Sequence, residues 1–87
     1  MAVFVICRLS NAPAVRAALE REFPSDYFDL GYNAWLLAAN RATAKSVSDR
    51  LGISDGASGS GLVVSVRNYF GRAPDAVWDW LEENLRG

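Results

Sequence analysis

The residues of this chain that could do chemistry are carboxylates, one thiol and a set of arginines, since the sequence contains no histidine. Histidine is the commonest general base and metal ligand, so histidine-based triads and histidine metal sites are excluded. Asp26 and Asp29 could hold a divalent cation through oxygen ligands. However, residues three apart on a strand point to opposite faces. We therefore interpret both as solvated strand ends and predict no catalytic residue and no metal site.

The single cysteine, Cys7, lies within an apolar run at residues 3–9 and has no basic partner nearby that would make its thiol a nucleophile. We interpret it as a small buried hydrophobic residue, and one cysteine allows no intramolecular disulfide, which is typical of a reducing compartment. Residues 52–61 contain four glycines and three serines. This segment lacks the Gly-Lys-Ser/Thr sequence of a phosphate-binding loop and leads into a strand. We expect a mobile loop and no cofactor.

A basic and aromatic surface is the remaining candidate site. Arg8, Arg67 and Tyr69, with Phe4 between them, would share the open sheet face if the first and last strands were neighbours. Such a platform resembles the RNA-recognition family, which stacks bases on its sheet. The resemblance is partial, because the segment GYNAWL at residues 31–36 lacks the basic residue that leads the family's third-strand motif. The alternative is burial of these aromatic side chains in an interface or under a helix.

Length and composition predict one domain over residues 1–87, with 51% hydrophobic and 22% charged residues. The net charge of -1 provides no global field for polyanions. The first apolar run is far shorter than the ~20 residues of a membrane span and lacks a basic flank, so we predict a cytoplasmic protein without membrane contact. Eight of the nine basic residues are arginine, which indicates a GC-rich bacterial source.

Hydrophobic periodicity and turn residues predict the elements. Strands are expected at residues 3–9, 27–30, 34–39 and 62–70. Helices are expected at residues 13 to about 23, at 44–51 and from 75 onward. Ser10 and Asn11 are predicted to cap the first helix and Thr43 the second, while Gly52 ends the second helix in a left-handed conformation.

This order predicts an α+β fold, a ferredoxin-like plait (βαββαβ) with two helices on one face of the sheet and an extra C-terminal helix. In the last strand we expect Leu62 and Val64 to face the two helices and Val63 to point away. Because the second face of the sheet is also apolar, the C-terminal helix or another subunit must cover it. We predict a homodimer. The candidate interface residues, each of which could equally be core, are Phe4, Ile6, Tyr69, Trp78, Trp80 and Leu81.

The whole chain also resembles small bacterial proteins of the superfamily of CRISPR-associated protein 2 and virulence-associated protein D. Three segments carry the resemblance: VFVI at 3–6, NAWLL at 33–37 and AVWDWLEENL at 76–85. The resemblance implies a dimeric plait. Nucleases of that superfamily have an aspartate at the end of the first strand, where this chain has Arg8 and no acid. The resemblance therefore carries no catalytic residue into this sequence.

We predict a small cytoplasmic, non-enzymatic protein that associates with itself through an apolar sheet face and the Trp-bearing C-terminal helix, and then with an unidentified RNA or protein partner. The first alternative is a metal-dependent endoribonuclease related to CRISPR-associated protein 2, with Asp26 or Asp29 in place of the missing acid. The second is an RNA-binding module that uses the sheet face through Arg8, Arg67 and Tyr69.

Overall fold

The computed structural model describes residues 2–10 and 12–85. These residues form four strands and three helices in the predicted order. The elements are β1 (Ala2–Arg8), α1 (Ala12–Glu22), β2 (Tyr27–Gly31), β3 (Ala34–Ala39), α2 (Ala44–Leu51), β4 (Gly61–Ser65) and α3 (Asp75–Leu85). The chain is therefore α+β, as its sequence predicts.

Local signals in the sequence set the ends of several elements. The Thr43 hydroxyl accepts a hydrogen bond from the Ser46 N–H, and the Ser46 hydroxyl accepts one from the Thr43 N–H, which closes a capping box at the start of α2. Gly52 ends the helix with φ 75°, in the left-handed region. Both predictions for α2 are confirmed. The predicted cap residue Asn11 lies outside the described residues.

The four strands form one antiparallel sheet in the order β2-β3-β1-β4. β1 is central and pairs with β3 on one side and β4 on the other, so that Ile6 stands opposite both Trp35 and Val63. The hairpin between β2 and β3 turns through Tyr32 and Asn33, whose φ angles of 51° and 69° are those of a tight two-residue reversal. The architecture is compatible with a ferredoxin-like plait.

Each face of the sheet carries its own apolar core. The core under α1 and α2 includes the buried residues Phe4, Ile6, Val15, Leu19, Phe23, Trp35, Leu37, Val47 and Leu51. The core under α3 includes Val3, Leu36, Ala38 and Leu81, with Val5, Phe28, Leu30, Val77, Trp78 and Trp80 packed against them. The sequence leaves open whether the C-terminal helix or another subunit covers the second face of the sheet. In the structure α3 packs on this face.

The faces of β1 and β4 differ from the sequence expectation. Phe4 and Ile6 are 1% and 0% exposed and belong to the core under α1 and α2, so neither lies on the second face. Val63 faces the same core, whereas Leu62 and Val64 face the side of α3. The reason is that both strands are apolar at consecutive positions, so alternation alone does not fix their phase. β4 also ends at Ser65, several residues before the predicted end.

The glycine- and serine-rich segment between α2 and β4 forms successive hydrogen-bonded turns. The Ser58 N–H donates to the Gly52 carbonyl, and the Gly59 N–H donates to the Gly56 carbonyl. The Ser60 N–H donates to the hydroxyl of Ser10, which ties the segment to the end of β1. This bond lies directly before the first residue of β4.

Candidate interaction surface

Most of the predicted interface residues lie on or against helix α3, where they contact other residues of the same chain. Leu81 is 5% exposed in the core under α3. The indole Nε1 of Trp78 donates to the Ala73 carbonyl at 3.0 Å, and the Trp78 ring lies 5.7 Å from that of Tyr69. The ring of Trp80 lies 6.3 Å from that of Phe28 on β2. These contacts fasten α3 to the sheet.

Two members of the predicted interface set are not available at the surface. Phe4 and Ile6 are closed off by α1 and α2, so a molecule that binds the folded chain does not reach their side chains. Tyr69, Trp78 and Trp80 are partly exposed and keep one side open to solvent.

The exposed apolar side chains on the side of α3 lie on β4 and in the segment after it, where Tyr69 and Phe70 are 38% and 101% exposed. Helix α3 packs over β1 and β2. Leu62 and Val64 remain 53% and 44% exposed beside it. We call this pair the β4 patch. Val64 stands opposite Val5, which packs against the core under α3, so the β4 patch continues that core to the edge of the sheet.

The predicted nucleic-acid contacts do not form one platform. β1 and β4 are neighbours, as the prediction requires, but Arg8 pairs with Gly61 at one end of β4 and Arg67 follows the other end. At about 3.4 Å per residue their backbones are roughly 17 Å or more apart along the strand. Arg8 donates to the Asn33 side chain at 2.6 Å, and Tyr69 packs on Trp78. The sheet surface on which bases would stack is occupied by α3.

The candidate acids are also separate. Asp26 is exposed just before β2, where its backbone carbonyl accepts from the Ala38 N–H, and the carboxylate of Asp29 accepts from the Gly31 N–H at 2.7 Å. Among the described residues no three cysteine or acidic side chains cluster in a way that could hold a metal ion. Cys7 is half-buried opposite Leu62.

A cluster of charged side chains joins α1 to α2. The Glu22 carboxylate accepts from Arg21 at 3.2 Å and from Arg50 at 3.3 Å. These two hydrogen bonds hold the pKa of Glu22 below its ordinary value. The guanidinium of Arg50 also lies 4.2 Å from the centre of the Phe23 ring. The cluster bridges two helices and has a structural explanation.

A cavity of about 380 Å³ beside the hairpin turn was not predicted from the sequence. It is lined by Pro13, Arg16, Asp29, Gly31, Tyr32, Asn33 and Trp35. The Nε1 of Trp35 is buried and has no hydrogen-bond partner among the described residues. Because this nitrogen is closed to solvent, it is not presented to a molecule in the cavity. The turn residues Gly31 and Asn33 predict the hairpin, but the concavity depends on how α1 packs beside it, which no local sequence signal reveals.

Comparisons with known proteins found no relative: no family model, no curated protein and no solved structure matches this chain. The superfamily resemblance stays a prediction. In the part of the chain that the structure describes, none of the helices is both long and apolar enough to cross a membrane.

Proposed function

We propose that this chain is a small, non-enzymatic protein with a plait fold that binds a second copy of itself through the β4 patch. The observation that supports this proposal is the exposure of Leu62 and Val64, 53% and 44%, side by side on a strand at the edge of the sheet. Apolar area of this kind gains about 25 cal/mol for each Å² that is removed from water.

The position of the β4 patch favours a protein partner over a solvated surface. It borders the core under α3 through Val5, so a partner placed there would extend an existing apolar layer. The strand has no charged side chain, since its sequence is GLVVS. A second copy of the chain presents the same uncharged, apolar strand. No like-charge repulsion therefore opposes contact between the two β4 strands. The helix residues Trp78 and Trp80 then act mainly by holding α3 beside the patch.

Sedimentation equilibrium of the purified chain tests this proposal. We expect a concentration-dependent mass that approaches twice the 9.5 kDa of one chain. A chain that sediments with the mass of one copy from dilute to concentrated solution would contradict it.

The endoribonuclease and the RNA-binding module stay predictions, and no contact described above favours either of them. Incubation with single-stranded and structured RNA, with and without magnesium, separates them from the proposal. Cleavage that is lost in Asp26→Ala would support the nuclease. Salt-sensitive binding that weakens in Arg8→Ala or Arg67→Ala would support the RNA-binding module.

A further inference from the structure

The outer edge of β4 carries free backbone hydrogen-bonding groups. β4 is the last strand of the sheet, and its inner side pairs with β1. The Val66 N–H donates to the Val3 carbonyl at 2.8 Å, and the Leu9 N–H donates to the Ser60 carbonyl at 2.9 Å. These two bonds mark hydrogen-bonded pairs at both ends of the antiparallel ladder.

Hydrogen-bonded and non-hydrogen-bonded pairs alternate along such a ladder. The pairs Val5–Val64 and Cys7–Leu62 are therefore hydrogen-bonded as well, and the N–H and C=O groups of Leu62 and Val64 point to β1. The N–H and C=O groups of Gly61, Val63 and Ser65 therefore point outward, where no other strand of the described chain pairs with them. The outward groups are evenly spaced about Val63, the middle residue of the strand.

The two edges of the sheet differ in how they are protected from pairing. β2, at the other edge, has the exposed charge of Asp29 and a register irregularity between Asp29 and Gly31. Charges and bulges of this kind are the usual means by which edge strands avoid pairing with another chain. β4 has no charge and no proline, and its pairing with β1 is regular over all its residues. The β4 edge therefore lacks the protection from pairing that the β2 edge has.

We infer that two copies pair through β4 in antiparallel orientation, with the twofold axis at Val63, to make one continuous eight-stranded sheet. This inference rests on the proposed self-association and specifies its geometry. Val63 stands opposite Val63 of the second copy, and Gly61 of each copy stands opposite Ser65 of the other. These three pairs each exchange two backbone hydrogen bonds, which gives about six between the copies. Leu62 of each copy then stands beside Val64 of the other on the same face, so that the two β4 patches touch along the junction and form one continuous apolar strip on the side of α3.

Charge is compatible with this register. Arg67 is the first charged residue after β4 and lies four positions from the axis. The two copies of Arg67 are therefore at opposite ends of the junction, about 27 Å apart at 3.4 Å per residue. This separation exceeds the Debye length of about 8 Å at physiological salt, so their repulsion is largely screened.

Cross-linking between two different single-cysteine chains tests the register. Both chains carry Cys7→Ser, because Cys7 stands opposite Leu62 in its own chain and would compete for it. One chain also carries Leu62→Cys and the other Val64→Cys. In the inferred register these two positions form a non-hydrogen-bonded pair with Cα atoms about 4.5 Å apart, within reach of a disulfide. Two copies of the same cysteine are offset by two residues, roughly 8 Å, and cannot be bridged.

The mixed chains are oxidised with diamide, which takes up the two electrons and two protons that the thiols release as the S–S bond forms. We expect a disulfide-linked dimer in the mixture and none with either chain alone. Cross-linking of one chain with itself would overturn the register. If sedimentation gives a dimer whose formation is weakened by Leu62→Ala and no sample cross-links, the second copy meets the β4 patch in another orientation and only this inference fails. If the chain is a monomer, the proposed function fails with it.

Discussion

Truncation of Leu62 should weaken self-association by an amount that follows from its exposure. Complete burial of a leucine side chain contributes about 1.5–3 kcal/mol. Leu62 is 53% exposed in one copy, and lateral contact with Val64 of the second copy removes about half of that area from water, which contributes ~0.5 kcal/mol. The residue occurs once in each copy, so Leu62→Ala should cost the dimer about 1 kcal/mol and raise Kd about fivefold.

Sedimentation equilibrium at a series of concentrations measures this Kd for the original chain and the variant. Tyr32→Asn is the matched control, because Tyr32 is a fully exposed aromatic residue on the hairpin, two strands from β4, and asparagine tolerates its positive φ. We expect the control to associate like the original chain. Circular dichroism should show both variants folded, since truncation at an exposed site changes stability little. A Kd for Leu62→Ala equal to that of Tyr32→Asn would refute the reasoning.

Three further predictions concern the fold. Leu81→Ala leaves a cavity in the core under α3 and should lower the free energy of unfolding by about 2–5 kcal/mol in urea titrations. A loss below 1 kcal/mol would contradict this packing. Gly52→Ala should destabilise by about 1–2 kcal/mol in the same titration, because φ is 75° and the added Cβ would lie 2.7 Å from the Ser58 hydroxyl; an unchanged midpoint would be the contrary result. Because the pKa of Glu22 is lower in the folded chain than in the unfolded chain, its carboxylate stabilises the fold fully at neutral pH. This stabilisation is lost as the pH falls from the unfolded pKa through the folded pKa. In Glu22→Gln, unfolding monitored across acid pH should therefore depend less steeply on pH, and an unchanged slope would argue against the hydrogen bonds from Arg21 and Arg50.

The element order could be predicted from the sequence because each boundary has a local cause. Thr43 and Gly52 mark the ends of α2 by their own hydrogen bonding and backbone freedom. The hairpin between β2 and β3 follows from residues that accept positive φ. Signals of this kind depend on neighbours in the chain, and they need no knowledge of the tertiary packing.

Which side chains of β1 and β4 point to which face of the sheet could not be predicted, because both strands are apolar on both sides. β1 has Val3 and Val5 on one face and Phe4 and Ile6 on the other, and both sets are needed since each face carries a core. The candidate interaction surface depended on this choice. Once Val63 is placed under α2, Leu62 and Val64 are left at the margin of α3, which no local pattern in the sequence reveals.

Amide hydrogen exchange along β4, detected residue by residue by NMR, tests most directly whether its outer edge binds a second copy. The Val64 amide donates toward β1 within one copy and serves as the internal reference, while the amides of Val63 and Ser65 point outward. We predict that Val63 and Ser65 exchange slowly in concentrated solution and rapidly on dilution, with Val64 protected in both. Rapid exchange of Val63 and Ser65 at every concentration, beside a protected Val64, would contradict the account.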